Sequence, residues 1–144
     1  MAYTSLNIML TVDVRGLHND PNNELKYCTI SDNQGGRLDN PNNKATFDSI
    51  ADSNTWVTWA GQDMGTGNLV IITDLQFENV PEGFFYKAPY QVSDDSWVAV
   101  LGENNSNHNM ECKYTITFDD GVRGDHKFII DPKLQIRKKL GANN

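Results

Sequence analysis

The strongest constraint on the fold is the closing stretch of the chain, residues 110–137, which holds three apolar runs separated by turn residues. Residues 114–118 alternate between large apolar side chains and threonines, which is the period-two pattern of a half-buried strand. The pattern returns over residues 126–130 and again beyond Pro132, and a proline fits a strand start or a sheet edge because it donates no backbone hydrogen bond. The closing stretch therefore predicts neighbouring β-strands, of which residues 110–118 and 126–130 form a hairpin.

The rest of the chain repeats this pattern in short segments. The clearest is residues 6–14, and further strands are predicted over residues 25–30, 45–50, 55–60, 69–77 and 97–101. Turn signals recur at intervals of about ten residues, and no segment shows a convincing helical period. We therefore predict one all-β domain over residues 1–144, an antiparallel two-sheet β-sandwich of the immunoglobulin or jelly-roll kind with about eight or nine short strands.

Composition fits a packed globular protein and argues against nucleic acid as a partner. The chain is 38% hydrophobic and 22% charged, which is ordinary for a protein with its own core. The formal net charge is −7 and the pI is near 4.7, whereas neutralising a phosphate backbone requires clustered Lys and Arg. An acidic protein that does not bind nucleic acid is the expectation.

Cysteine content and the N-terminal segment bear on the compartment. Cys28 and Cys112 each fall inside a predicted strand, and they form either one disulfide or two small buried hydrophobic residues. The first ten residues lack the features of a secretory signal, and no run approaches the roughly 18 apolar residues of a membrane span. We expect a cytoplasmic protein without a membrane span.

The tripeptide Arg123-Gly124-Asp125 occupies the turn between two predicted strands. At a hairpin tip it would present Arg123 and Asp125 on opposite sides of a glycine, as adhesion ligands do toward an integrin. Glycine and aspartate are also the residues that a hairpin turn favours. Both interpretations, a binding tip and an ordinary turn, are open at this stage.

Acidic loops raise the question of a metal ion. Asp94, Asp95, Asp119 and Asp120 would supply oxygen ligands of the kind that Ca²⁺ prefers, if loops at one end of a sandwich bring them together. No segment matches the spacing of a calcium-binding loop, and solvated turns that cap strands are the simpler interpretation. Apart from this Ca²⁺ hypothesis, no cofactor is expected.

No catalytic arrangement is visible. His18, His108 and His126 stand far apart and lack partners at metal-ligand spacing, and there is no nucleophile elbow or phosphate-binding glycine loop. We predict that the protein is not an enzyme. A hydrolase whose site is built from scattered loop residues remains a third hypothesis.

Two aromatic groups are candidate binding residues. Trp56 and Trp59 have opposite parity, so a regular strand points them to opposite faces, one into the core and one outward. We take Trp59 as the candidate for a sugar-stacking platform with neighbouring Asn and Asp, although a second-layer core position is the commoner fate of such a residue. Phe84, Phe85 and Tyr86 form a second cluster, which either plugs one end of the fold or makes a subunit contact.

Three segments together resemble a known family. They are the strand at residues 7–13 ending in Val-Asp, the strand at residues 55–59 with two tryptophans, and residues 128–134, where an aromatic strand ends in Asp-Pro before an apolar one. This combination resembles the bacterial inclusion-body protein family of PixA and AidA. The resemblance implies a bacterial, intracellular, sandwich-like protein that accumulates or self-associates, with no catalytic residues to transfer.

The leading functional hypothesis is a non-enzymatic protein that forms a homo-oligomer or binds a protein partner. We expect the contact to use a sheet edge or the aromatic patch from Phe84 to Tyr86, because unpaired edges and exposed aromatic groups mark interaction surfaces. The alternative is a lectin-like carbohydrate-binding module, with or without Ca²⁺, that uses Asn-rich and Asp-rich loops beside an exposed tryptophan.

Overall fold

The computed structural model describes residues 5–20, 24–33, 46–93, 96–119, 125–128 and 131–138. Within these ranges the chain forms ten strands and two short helices. In chain order they are β1 (Ser5–Val12), α1 (Val14–Asn19), α2 (Glu24–Tyr27), β2 (Cys28–Asp32), β3 (Thr46–Ala51), β4 (Trp56–Asp63), β5 (Leu69–Glu78), β6 (Phe85–Ser93), β7 (Ser96–Leu101), β8 (Met110–Asp119), β9 (Asp125–Phe128) and β10 (Asp131–Ile136).

All ten strands belong to one mixed sheet. Its main path runs β2-β1-β4-β5-β8-β10-β3, with β7 and β6 branching from β4, and β9 pairing with β8. Most neighbours are antiparallel, but β1 pairs with β4 and β3 pairs with β10 in parallel. Strand β5 connects β4 to β8 within the sheet. Its first residues pair with β4, and its remaining length pairs with β8.

The prediction of an antiparallel two-sheet sandwich is wrong, because the strands form a single mixed sheet that is nearly closed into a barrel. Period-two alternation shows which side chains of a strand point inward, but it does not show which strand lies beside it. A parallel neighbour requires a long crossover connection. The connection from β1 to β4 supplies one, since it includes both helices and two further strands.

The two ends of the path, β2 and β3, approach each other without becoming a regular pair. The Ser49 hydroxyl on β3 donates to the Asp32 carboxylate at the end of β2, with 2.5 Å between Oγ and Oδ2. Ser49 is buried although it is polar, which fits a hydroxyl that has found a charged acceptor. This hydrogen bond links the edges of the sheet where the barrel is nearly closed.

The core fills the inside of the curved sheet. The inward positions of β1 and β8 are apolar and buried, and their outward neighbours are exposed or half-buried, so the alternation of the sequence is preserved. Trp59 lies at the centre and makes edge-to-face contacts with Phe77 and Tyr114, at centroid separations of 5.9 and 6.0 Å. The Trp59 Nε1 and Tyr114 hydroxyl atoms are buried and have no hydrogen-bond partner among the described residues.

One glycine is required by a close approach of two backbone segments. A Cβ atom at Gly102 would collide with the carbonyl oxygen of Gly83, in the turn before β6. The Gly102 amide donates to the Phe84 carbonyl at 2.8 Å, which holds the start of β6 against the end of β7. A side chain at this position would separate the two segments and break that hydrogen bond.

The two short helices were not expected. Residues 25–30, predicted as one strand, begin as the single turn of α2 and become β2 only at Cys28. Helix α1 is capped by Asp13, whose Oδ1 accepts a hydrogen bond from the Gly16 amide at 3.0 Å. Among the described residues, no helix has the length and apolar character needed to cross a membrane.

Asp63, at the end of β4, joins α1 to the β4–β5 turn. Its carboxylate accepts hydrogen bonds from the Thr66 hydroxyl at 2.6 Å and from the Val14 amide at 3.2 Å. The Thr66 hydroxyl makes the largest contribution to lowering the pKa of this carboxyl below its ordinary value of 3.8, and the Val14 and Gly65 amides add to it. The charged form of Asp63 therefore stabilises the folded state.

We expect this stabilisation to depend on pH. A lowered pKa in the folded state means that the contribution is complete above the ordinary value and is lost as the pH falls through the folded-state pKa. Asp63→Asn should cost about 1 kcal/mol at pH 6, because hydrogen bonds to a charged acceptor are stronger than those to a neutral amide. Denaturant unfolding at a series of pH values should show that the difference between the two proteins shrinks below pH 3.8. A difference that is the same at pH 6 and pH 2.5 would contradict this account.

Candidate functional site

The two tryptophans of β4 lie on opposite faces, but in the order opposite to our assignment. Trp59 has no exposed surface, whereas Trp56 is 47% exposed. The assignment of Trp59 to a sugar-stacking platform is therefore corrected, because its indole is packed inside the sheet. Because the two residues are three positions apart, the sequence predicts that they point to opposite faces of the strand. It does not predict which one points inward, since both have apolar and threonine neighbours.

The aromatic cluster that opens β6 is also divided between core and surface. Phe84 is fully buried, and Phe85 packs edge to face with both Phe84 and Phe77. Tyr86 is 80% exposed and is the most exposed large hydrophobic side chain of the described residues. Of this predicted patch, Tyr86 is thus the side chain most available to a partner, and Phe85 is half-buried.

The predicted metal and adhesion residues fall largely outside the described part of the chain. Asp94, Asp95, Asp120 and Arg123 lie outside the described residues, so the Ca²⁺ site and the binding tip remain predictions. The expected hairpin is confirmed by the pairing of β8 with β9, in which Asp119 lies opposite Asp125. Among the residues that the structure describes, no group of three or more His, Cys, Asp or Glu side chains is arranged to hold a metal ion.

Both cysteines are buried in the core, and neither forms a disulfide. Burial raises the pKa of the Cys112 thiol to about 12. A thiol with so high a pKa is protonated at neutral pH and is a poor nucleophile. Cys28 and Cys112 therefore act as small buried hydrophobic residues, which was one of the two interpretations left open by the sequence.

A polar cavity of about 240 Å³ lies beside the end of β10. Its walls are formed by Asp52, Ser53, Glu103, Asn104, Asn105, Arg137 and Lys138. The Arg137 guanidinium donates to Asp52 at 2.5 Å, and the buried Asn104 amide donates to backbone carbonyls of residues 108 and 136. These groups bind one another, so the cavity marks a polar junction that holds the end of β10 in place.

Carboxylates are distributed unevenly over the sheet. Strands β1, β6 and β7 contain no Asp or Glu, and β4 has only Asp63 at its last position. Strands β5, β8, β3 and β10 each contain at least one acidic residue. We call the outward side of β1, β4, β7 and β6 the carboxylate-free face.

The strand register places the side chains of this face in rows. Val57 and Trp59 of β4 point inward with their partners Ala99 and Trp97, so the residues between them point outward. One outward row consists of Trp56, Val100 and Lys87, and the next consists of Thr58, Val98 and Tyr90. On this face, Val98 and Val100 of β7 thus lie between Trp56 of β4 and Tyr90 of β6.

Burial and charge make this surface apolar and neutral. Val100 is only 7% exposed although it points outward, so its neighbours cover it. Lys87 is the one cation of these four described strands. Its ammonium group lies over the Tyr90 ring, 4.8 Å from the ring centroid. The surface between Trp56 and Tyr90 is therefore neutral and apolar, and Trp56 is its exposed aromatic residue.

Strand β6 forms the margin of the face. Within the described strands it pairs only with β7, and most of its nine residues are exposed. Its ladder contains three register shifts, and Lys87 and Pro89 stand in its middle. Bulges, a lysine and a proline are the features by which natural sheets prevent edge-to-edge pairing. The face of this part of the sheet is therefore a better candidate for a contact than its edge.

These features define an all-β protein with one mixed, nearly barrel-shaped sheet and an exposed aromatic surface that lacks carboxylates. No family model and no curated protein matches the sequence. The structure is similar to the crystal structure of an inclusion body protein (PixA) from Burkholderia cenocepacia, with 12% identity, a TM-score of 0.48 and coverage of 96% of this chain and 97% of that chain. The matched protein is a PixA inclusion body protein, which is the family that the sequence resembles. At this identity and TM-score the match assigns no function to the present chain.

Proposed function

We propose that this protein is non-enzymatic and acts by associating with further copies of itself through the carboxylate-free face. The observation that supports the proposal most directly is the segregation of charge. The chain has a net charge of −7, yet β1, β6 and β7 contain no acidic residue. Copies of an acidic protein repel each other, and a face without carboxylates is where that repulsion is weakest.

The apolar surface on the same side supports the proposal independently. Trp56, Tyr86 and Val92 are all among the exposed large hydrophobic residues, and they lie on β4 and β6. Interface cores are enriched in aromatic residues and depleted in charged ones relative to the remaining surface.

The contact uses the face rather than the edge of β6. Pairing of a second strand onto β6 would have to accommodate three register shifts and a proline without an amide hydrogen. Packing of side chains over the outward rows needs no such pairing. This refines our expectation of an oligomer that forms through an edge or through the patch from Phe84 to Tyr86.

A matched pair of charge substitutions tests the proposal. Asn7 lies on the carboxylate-free face beside Thr58, and Gln76 lies on β5 beside Thr115 of β8, away from that face. Both are exposed amides, so Asn7→Asp and Gln76→Glu each add one carboxylate with almost no change in shape. We expect Asn7→Asp to weaken association about tenfold, or roughly 1.4 kcal/mol, because a charge is desolvated in the contact.

Sedimentation equilibrium over a micromolar concentration series measures both effects. Gln76→Glu is the control, and it should change the association constant by less than about twofold, since it adds the same charge on another side of the molecule. Equal weakening by both substitutions would show that net charge matters and location does not. A wild-type protein that is monomeric throughout the series would refute self-association.

A neutral glycan is the second candidate ligand, and the exposure of Trp56 is the observation that favours it. The indole is half-exposed and lies beside Ser5 in the parallel register, with Asn7 and Thr58 in the next row. An aromatic ring flanked by hydroxyl and amide groups suits a sugar ring, whose faces are apolar and whose rim is polar. A glycan array should then show saturable binding that Trp56→Ala abolishes, with and without a calcium chelator. An array without any bound glycan would eliminate this candidate.

A further inference from the structure

We draw no further inference here: the strongest candidate, the polar cavity beside the end of β10, belongs to the junction already described, in which Arg137 pairs with Asp52 and the buried Asn104 amide donates to backbone carbonyls.

Discussion

Replacement of Asn104 by alanine is expected to lower the free energy of unfolding by about 3 kcal/mol or more, although the residue lies in an Asn-rich loop. Its side chain is 1% exposed. The amide nitrogen donates to the carbonyls of His108 at 2.9 Å and Ile136 at 3.0 Å, and the amide oxygen accepts from the Ser106 backbone at 2.9 Å. Alanine would remove this donor from the buried Ile136 carbonyl, at a cost of roughly 1–3 kcal/mol, and would also remove the part-buried contacts to His108 and Ser106.

The neighbouring residue provides the control. Asn105 borders the same cavity but is exposed, and Asn105→Ala should change stability by less than about 0.5 kcal/mol, as ordinary surface substitutions do. Urea unfolding followed by far-UV circular dichroism measures both variants. If Asn104→Ala is as mild as Asn105→Ala, water replaces the amide in this junction and the end of β10 is not held by it.

The strands themselves could be predicted well from the sequence. The clean alternation of residues 69–77 and 110–118 corresponds to β5 and β8, and residues 97–101 fall within β7. Pro89 favours an edge strand because it donates no backbone hydrogen bond, and β6 pairs only with β7 among the described strands. Alternation succeeds because burial of one face of a sheet acts on every second residue, whatever the neighbouring strand is.

Strand pairing could not be predicted in the same way. Short turns specify antiparallel neighbours, and β6 with β7 and β8 with β9 follow that rule. The pairing of β1 with β4 joins residues far apart in the chain, and neither segment has a feature that predicts the other as its partner. The hydrogen bond between Ser49 and Asp32 near the closure of the sheet likewise joins residues that are distant in the chain. These non-local contacts turn the expected sandwich into one curved sheet.

The candidate site was only partly visible in the sequence. The spacing of Trp56 and Trp59 shows that their side chains point to opposite faces of β4. Which of the two points inward depends on the register with β7. The absence of Asp and Glu from three strands can be read from the sequence once the strands are known to be neighbours. In the loop at residues 102–109, composition suggests solvent exposure for every asparagine. It does not show that Asn104 turns inward to reach the carbonyl of Ile136.

Truncation of Trp59 to alanine is expected to have the largest effect on stability, about 3–5 kcal/mol, whereas Trp56→Ala should cost less than about 1 kcal/mol. Trp59 is fully buried and packs against Phe77 and Tyr114, so its removal leaves a cavity among rings that cannot collapse freely. Trp59→Phe should be much milder, because phenylalanine keeps part of the ring contact and removes an indole nitrogen that has no hydrogen-bond partner among the described residues.

The two alanine variants should show opposite phenotypes. Trp59→Ala is expected to shift the urea midpoint strongly, whereas the fraction that remains folded should retain the wild-type affinity for a second copy. Trp56→Ala should leave the midpoint almost unchanged and weaken that affinity. If both substitutions destabilise the fold equally, Trp56 serves the packing of β4 against its neighbours, and its exposure has no role in association. Opposite phenotypes would assign one tryptophan of β4 to the core and the other to the surface contact, three residues apart on a single strand.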